Sequence, residues 1–248
     1  MHPFSYLASS QFMKTPVLPI IFLSLAVLVA CKEESTLSFS EFTLASKDNT
    51  IVELDIILAS GDSEAANNVN AEIEKTIIFC LNAEKHNTDN LEVSIQNFNQ
   101  DYIDFKKDFP ESPQVWEAQI DGEVLYQTED IISISITTYT NTGGAHGLLS
   151  ITFLNFNPET GLLIPTINLI NNTDEFSKLA QFYFEQSITK DDILFSPNTF
   201  QLPKNMAYTE EGIVLLYNAY EIAPYSTGII EFKIPYHDAN PFLVLNGS

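Results

Sequence analysis

Apolar residues follow one another almost without interruption from Val17 to Ala30, and Lys14 is the only charged residue before them. The run is shorter than the roughly 20 residues of a membrane-spanning helix and is typical of an export signal. It ends in Leu28-Val29-Ala30-Cys31, which has the form of a lipobox. We therefore predict a signal peptide over residues 1–30 and a diacylglycerol on the Cys31 thiol. An ordinary secretory signal beside a coincidental cysteine is the alternative.

The pattern from residue 37 to residue 110 predicts two strands and then two helices. Leu37–Ala45 alternates loosely and Thr50–Ala59 is β-branched and apolar, with the turn signal Lys47-Asp48-Asn49 between them. Ser63 is the predicted N-cap of a helix. Its apolar positions have helical spacing: Val69, Ile73, Ile77, Cys80 and Leu81. The next helix carries an aromatic stripe that ends before Pro110 and consists of Ile95, Phe98, Tyr102, Phe105 and Phe109.

The second half alternates between strand and helix signals. Asp121-Gly122 is typical of a turn between two short strands within residues 116–126. Further strands are predicted at residues 131–139, 148–156, 212–218 and 228–235. Asn172 and Glu175 form a capping pair for a helix over residues 173–187.

This order of elements predicts an α+β fold with two lobes of antiparallel sheet packed with helices. We place a lipidated tether at residues 31–36, an N-terminal domain at residues 37–125 and a C-terminal domain at residues 126–240. Once Cys31 is acylated, Cys80 is the one remaining cysteine, so no internal disulfide is expected. We interpret Cys80 as a buried hydrophobe of the first helix.

The chain is strongly acidic, with 33 Asp and Glu against 11 Lys and Arg and a net charge of −22. This charge excludes nucleic acid as a partner and favours basic partners or metal cations. Simple solubility is the alternative explanation. Lys32-Glu33-Glu34 resembles a sorting tag behind the lipidated cysteine of surface lipoproteins, and a solvated tether explains it equally well.

Sequence signatures of enzymes are missing from the chain. There is no Gly-x-Ser-x-Gly, no His-Glu-x-x-His, no phosphate loop and no dinucleotide fingerprint. His86, His146 and His237 lack metal-ligand spacing. We therefore predict no cofactor, no metal and no enzymatic activity, although a glycosidase built from two distant carboxylates stays open.

Two motifs stand out as candidate binding segments. The first runs from Tyr139 to Gly147 and reads Tyr-Thr-Asn-Thr-Gly-Gly-Ala-His-Gly; the second runs from Tyr220 to Gly228. The candidate ligand-binding residues are Tyr139, His146, Tyr220, Glu221, Pro224 and Tyr225. The loop glycines Gly143, Gly144 and Gly147 are expected to be structural. A His146 that locks the loop by hydrogen bonding to backbone, and a second motif that is merely a packed loop, are the alternatives.

Together with the helix after Leu169-Ile170, these motifs resemble the C-terminal domain of unknown function shared by the anti-sigma factor RsiV and the deacetylase PdaC. The resemblance covers residues 125–238, and residues 37–125 resemble the smaller domain that precedes it. It implies an envelope-facing binding module, which binds lysozyme in the RsiV branch and accompanies a peptidoglycan deacetylase domain in the PdaC branch. The sequence departs from both branches, because it has no sigma-binding segment with a transmembrane helix and no deacetylase domain.

We therefore expect a non-enzymatic lipoprotein anchored in the bacterial envelope by Cys31, in the outer membrane and exposed at the surface. Its expected partner is lysozyme or another basic protein that acts on the cell wall. A peptidoglycan- or glycan-binding module is the alternative, and a glycan hydrolase is a third hypothesis.

Overall fold

A five-stranded sheet carries the first half of the fold. Its strands lie in chain order: β1 (Phe39–Leu44), β2 (Val52–Ala59), β3 (Glu117–Gln127), β4 (Ile132–Asn141) and β5 (Leu148–Phe156). The computed structural model describes residues 37–44, 51–82, 87–189 and 193–248, within a unit that spans Glu34–Ser248. The predicted signal peptide, the Cys31 lipidation site, the tether at residues 31–36, the Lys47-Asp48-Asn49 turn and His86 lie outside the described residues.

This sheet is mixed, because β2 and β3 are parallel whereas the other neighbours are antiparallel. A parallel pair needs a long crossover, and the helices α1 (Glu64–Asn82) and α2 (Leu91–Asp108) supply it. The predicted α+β class is confirmed. The prediction of purely antiparallel lobes is wrong at the β2–β3 pair.

The two helices begin and end close to the predicted residues. The Ser63 hydroxyl accepts a hydrogen bond from the Ala66 amide at the start of α1, and α2 ends two residues before Pro110. The α1 residues Val69, Ile73 and Ile77 are fully buried against the sheet. Cys80 is only half-buried; burial raises the pKa of its thiol, which also hydrogen-bonds to Thr138.

Gly122 lies inside a continuous β3, so the predicted Asp121-Gly122 turn is wrong. A β-carbon at Gly122 would lie 3.1 Å from Ile136 Cδ1 and 3.3 Å from Ile56 Cβ. The glycine therefore allows close packing between neighbouring strands, which is the other common use of a glycine in a strand.

A second sheet of three antiparallel strands carries the other half. It consists of β6 (Asn205–Thr209), β7 (Gly212–Tyr217) and β8 (Ile230–Ile234), and α3 (Thr173–Ser187) packs on it. The Asn172 side chain caps α3 by accepting from the Glu175 amide. The short helix α4 (Tyr236–Ala239) follows, and single 3-10 turns lie at Thr166–Leu169, Tyr225–Thr227 and Asn240–Phe242. Strand β6 was not predicted, because its five residues contain a single β-branched residue, Thr209.

The division between the two sheets lies beyond the predicted boundary at 125/126, which falls inside β3. The first core extends through Ile132, Ile134 and Ile136 to Phe156. The second core contains Tyr126 and Ile131 and then buried residues from Leu169 onward. Strands β4 and β5 therefore belong to the first sheet, and their buried apolar side chains lie in the first core.

Asparagine side chains join β5, at the edge of the first sheet, to the second sheet. Asn205 accepts from the Phe153 amide at 2.7 Å and donates to the Ile151 carbonyl at 2.7 Å. Asn218 makes the equivalent pair with the amide and the carbonyl of Ile151 at 2.8 and 2.9 Å. The asparagine side chains thus hydrogen-bond the backbone groups of β5 that a further strand would otherwise pair with. They also hold the end of β7 beside β5.

The hydroxyl face of β4 is covered as well. Ser133 is fully buried; its hydroxyl donates to Asn155 at 2.6 Å and accepts from the Tyr208 amide at 3.2 Å. The Asn155 side chain in turn donates to the Met206 carbonyl at 2.7 Å. The alternation of apolar and hydroxyl residues predicts a strand with one face exposed to solvent. Most of β4 is instead buried on both faces, and the hydrogen bonds of Ser133 and Asn155 satisfy the buried polar groups on its hydroxyl face.

Candidate functional site

The glycine motif forms the loop between β4 and β5. Gly143 has a φ of 83°, and its amide donates to the Asn141 side chain at 3.1 Å, which turns the chain tightly after β4. Gly147 lies under the Tyr139 ring, where a β-carbon would come within 2.4 Å of the ring atoms. Gly144 is exposed, and only one non-neighbouring atom would come within 4 Å of a β-carbon there.

Trp116 and Gln114 support the base of this loop. A β-carbon at Gly143 would lie 2.6 Å from Gln114 Oε1 and 3.1 Å from Trp116 Nε1. The indole packs on the aromatic stripe of α2, with ring centroids 5.3 Å from Phe105 and 6.0 Å from Phe98. Its N–H is buried and has no hydrogen-bond partner among the described residues. The α2 stripe therefore positions the glycine loop through Trp116.

The Tyr220–Gly228 motif forms the connection between β7 and β8. Tyr220 has a φ of 71°, the one positive φ among the described residues other than glycine. Its amide donates to the Ala223 carbonyl at 3.1 Å, and Pro224 precedes the 3-10 turn at Tyr225–Thr227. A tyrosine in this conformation is uncommon and is found mostly where the surrounding structure imposes it.

The two loops meet, and they bring three aromatic side chains together. The His146 ring stacks on Tyr225 with centroids 3.5 Å apart and planes inclined by 12°. The Tyr220 hydroxyl lies 3.4 Å from His146 Nε2, and the two ring centroids are 6.5 Å apart. We refer to His146, Tyr220 and Tyr225 as the aromatic cluster. Residues separated by 74 positions in sequence thus form one surface feature.

Hydrogen bonds fix the cluster to the backbone of the glycine loop. The Tyr225 hydroxyl donates to the Gly147 carbonyl at 2.9 Å, and His146 Nδ1 lies 3.4 Å from the same oxygen. His146 is exposed and Tyr220 is 52% exposed, while Tyr225 is half-buried beneath them. Tyr225 therefore anchors the cluster, and His146 and Tyr220 present its outer surface.

The remaining candidate residues lie around the cluster instead of in it. Tyr139 covers Gly147, Pro224 is half-buried, and Glu221 is exposed next to Tyr220. Glu221 lines a neighbouring cleft that the sequence did not indicate. The walls of that cleft come from α3 and from the irregular segment 194–201, whose pattern predicts no element.

The described residues show neither a metal-binding cluster nor a membrane-spanning helix. Within the described ranges, no group of three or more His, Cys, Asp or Glu side chains is arranged to hold a metal ion. His237 lies 3.5 Å from Asp238 on the surface. In the same part of the chain, no helix combines the length and the apolar character needed to cross a membrane.

Comparison with known families matches both halves of the chain. Residues 45–149 match the family described as "Deacetylase PdaC", and residues 166–237 match "Protein of unknown function (DUF3298)". The chain thus carries a PdaC-like segment followed by a DUF3298 segment, which confirms the resemblance that the sequence motifs indicated. The glycine motif falls within the first match and the Tyr220–Gly228 motif within the second, so the aromatic cluster joins the two family segments. No curated protein matched the chain.

Two of the solved structures that match the chain are DUF3298 family proteins. A DUF3298 family member from Bacteroides fragilis has a TM-score of 0.63 and 17% identity, covering 85% of this chain and 94% of that one. A DUF3298 family protein from Pseudomonas aeruginosa has a TM-score of 0.59 and 18% identity, covering 87% of this chain and 99% of that one. At these identities the likeness establishes the fold alone.

Proposed function

We propose that this chain is a non-enzymatic lipoprotein of the bacterial envelope that binds a basic protein acting on the cell wall, such as lysozyme. The anchor in this proposal is a lipid on Cys31, predicted from the apolar run and lipobox that precede it. The outer membrane, with the body exposed at the surface, is the proposed location.

The aromatic cluster is the observation that carries the proposal. Tyrosine supplies a large contact area at low cost in side-chain entropy, and tyrosines are enriched among residues that dominate binding energy. Here the Tyr220 ring is 52% exposed in a turn with a positive φ, and Tyr225 and His146 support it from below and beside. A preorganised aromatic surface of this kind favours recognition of a macromolecule.

The contacts of His146 support binding over proton transfer. One ring face stacks on Tyr225, Nε2 faces the Tyr220 hydroxyl, and Nδ1 faces the Gly147 carbonyl. These contacts position the imidazole as part of a surface. The segment matched to "Deacetylase PdaC" is, in this proposal, a companion domain that carries half of the binding surface.

The charge of the chain supports a basic partner. With a net charge of −22, the protein attracts cationic proteins at long range and accelerates their encounter. This attraction is screened by salt, because the Debye length falls from about 10 Å at 0.1 M to about 3 Å at 1 M.

Calorimetric titration of residues 34–248 with c-type lysozyme tests the proposal. We expect micromolar or tighter binding at about 50 mM salt and an affinity at least tenfold weaker at about 500 mM salt. Loss of muramidase activity on binding would add that the site blocks the enzyme. Absence of binding at low salt would contradict the proposal. Equal affinity at the two salt concentrations would show that the charge of the chain does not contribute to binding.

Glycan binding is the second candidate, and the exposed Tyr220 ring favours it as well, since flat aromatic faces also stack on sugars. Co-sedimentation of the same body with purified peptidoglycan sacculi separates the two hypotheses. Pelleting with sacculi without lysozyme binding would support the glycan, and the reverse result would support the protein partner.

A further inference from the structure

A cleft of about 330 Å³ lies on the second half of the molecule, beside the turn that carries Tyr220. One wall is the C-terminal half of α3 and the other is the segment 194–201, and residues 221–222 close one end. The Phe195 amide donates to the Ile222 carbonyl at 2.9 Å, so the second wall is attached to the Tyr220 turn. The volume of the cleft is at the lower end of the range for sites that bind small ligands.

Three aromatic rings form the floor of the cleft. The Phe184 centroid lies 5.5 Å from that of Phe200 and 5.7 Å from that of Tyr217. Phe184 and Tyr217 are buried, and the Tyr217 hydroxyl donates to the Gln201 carbonyl. The floor is therefore rigid and apolar, with its polar atom already satisfied, and it suits the aliphatic part of a ligand.

The charged side chains around this floor are carboxylates. Glu185 and Glu221 both line the cleft, and none of its lining residues in the described chain is Lys, Arg or His. Burial raises the pKa of the Tyr217 phenol, and the nearby Glu221 carboxylate raises it further. The cleft thus combines an aromatic floor with two carboxylates, of which Glu185 also accepts a hydrogen bond from the Gln181 side chain at 2.8 Å.

We propose that this cleft binds an aliphatic side chain that ends in a cation, namely a lysine or arginine of the basic partner. The stem packs on Phe184 and Phe200, and the cationic head meets Glu185 and Glu221. Charged side chains with long stems bury in this way, and aromatic rings attract the cation further. This inference rests on the proposed function, because Tyr220 and Glu221 are consecutive and one partner surface would cover both.

The n-hexylammonium ion is a suitable probe, because it reproduces the stem and the cation without any protein partner. We expect it to bind residues 34–248 in the millimolar range and to shift the NMR signals of the Phe184, Phe200 and Tyr217 rings. Hexanoate and hexanol serve as controls of reversed and zero charge. Equal binding of hexanoate, or shifts elsewhere in the protein only, would overturn the proposal.

Charge-neutralising variants locate the binding within the protein. The double variant Glu185→Gln, Glu221→Gln is expected to weaken n-hexylammonium binding at least fivefold, because both carboxylates of the rim are lost. Glu231→Gln changes an exposed carboxylate of β8 that does not line the cleft, and it is expected to leave binding unchanged. A double variant that binds as the unmodified protein does would overturn the assignment of the cationic head.

The outcomes separate this proposal from the proposed function. If n-hexylammonium binds as expected and lysozyme does not bind, the cleft stands as a cation site and the lysozyme partner is wrong. If lysozyme binds and the probe does not, the cleft assignment is wrong and the partner stands. If both bind, the double variant should weaken lysozyme binding at least tenfold more than Glu231→Gln does.

Discussion

Tyr220→Ala is expected to weaken binding of lysozyme to residues 34–248 by about 30-fold, which corresponds to roughly 2 kcal/mol. The substitution removes the exposed ring of the aromatic cluster and leaves Tyr225 and His146 stacked beneath it. The positive φ of 71° is no more costly for alanine than for tyrosine, so the fold should be unaffected. Calorimetric titration at low salt measures the loss of affinity.

Phe182→Ala is the matched control for Tyr220→Ala. Phe182 is 59% exposed on α3, its ring contact is with Tyr183, and it does not line the cleft. We expect less than a threefold change in affinity for this variant and less than about 0.5 kcal/mol change in stability for either one. Equal losses of affinity in the two variants would show that the aromatic cluster is not the binding surface.

Gly161→Ala is expected to destabilise the protein by about 3 kcal/mol or more. Gly161 ends the turn after β5 with a φ of 67°, and its amide donates to the Asn157 carbonyl at 2.8 Å. A β-carbon there would lie 2.0 Å from the carbonyl oxygen of Ala65 in the first turn of α1. Because the obstacle is backbone, α1 or the turn must move, and the strain of the positive φ adds to that cost.

Gly61→Ala separates the collision from the strain. Gly61 has a comparable φ of 90°, but apart from its two chain neighbours no residue has an atom within 4 Å of the position of its β-carbon. Its substitution should cost about 1–2 kcal/mol, which is the usual penalty of a left-handed conformation alone. Urea denaturation followed by circular dichroism measures both free energies of unfolding. Equal values for the two variants would contradict the close contact between Gly161 and α1.

Regular elements with complete local signals could be predicted from the sequence. Helix α3 occupies the predicted residues 173–187 because Asn172 caps it and its apolar positions follow helical spacing. Strand β5 occupies the predicted residues 148–156, because the alternation of its residues is typical of a strand. In contrast, the Asp121-Gly122 pair predicts a turn from local statistics, and only the approach of Ile56 and Ile136 explains why it lies inside a strand.

The boundary between the two halves could not be predicted, because long-range contacts determine it. Strands β2 and β3 pair in parallel although more than fifty residues separate them, which places β3, β4 and β5 in the first sheet. The serine face of β4 has the composition of a solvated surface. Its burial depends on Asn155 and the backbone of Tyr208, which come from two different strands.

The residues of the aromatic cluster could be named from their motifs, but their contact could not. Nothing local relates His146 to Tyr225, and their stacking depends on the amide groups that hold the end of β7 beside β5. The cleft was even less predictable from the sequence than the aromatic cluster. Phe184 belongs to the apolar stripe of α3 and is typical of a core residue, and the segment 194–201 forms a wall without forming a helix or a strand.

Hydrogen–deuterium exchange of residues 34–248 with and without c-type lysozyme shows whether the two loops bind as one surface. We expect lysozyme to slow exchange of backbone amides in residues 142–147 and 220–228 together, since both loops carry the aromatic cluster. Amides of β1 and of the first turns of α2, which lie away from the cluster, should be unchanged. Binding that leaves both loops unprotected, or that protects only one of them, would contradict a binding surface formed jointly by the two halves.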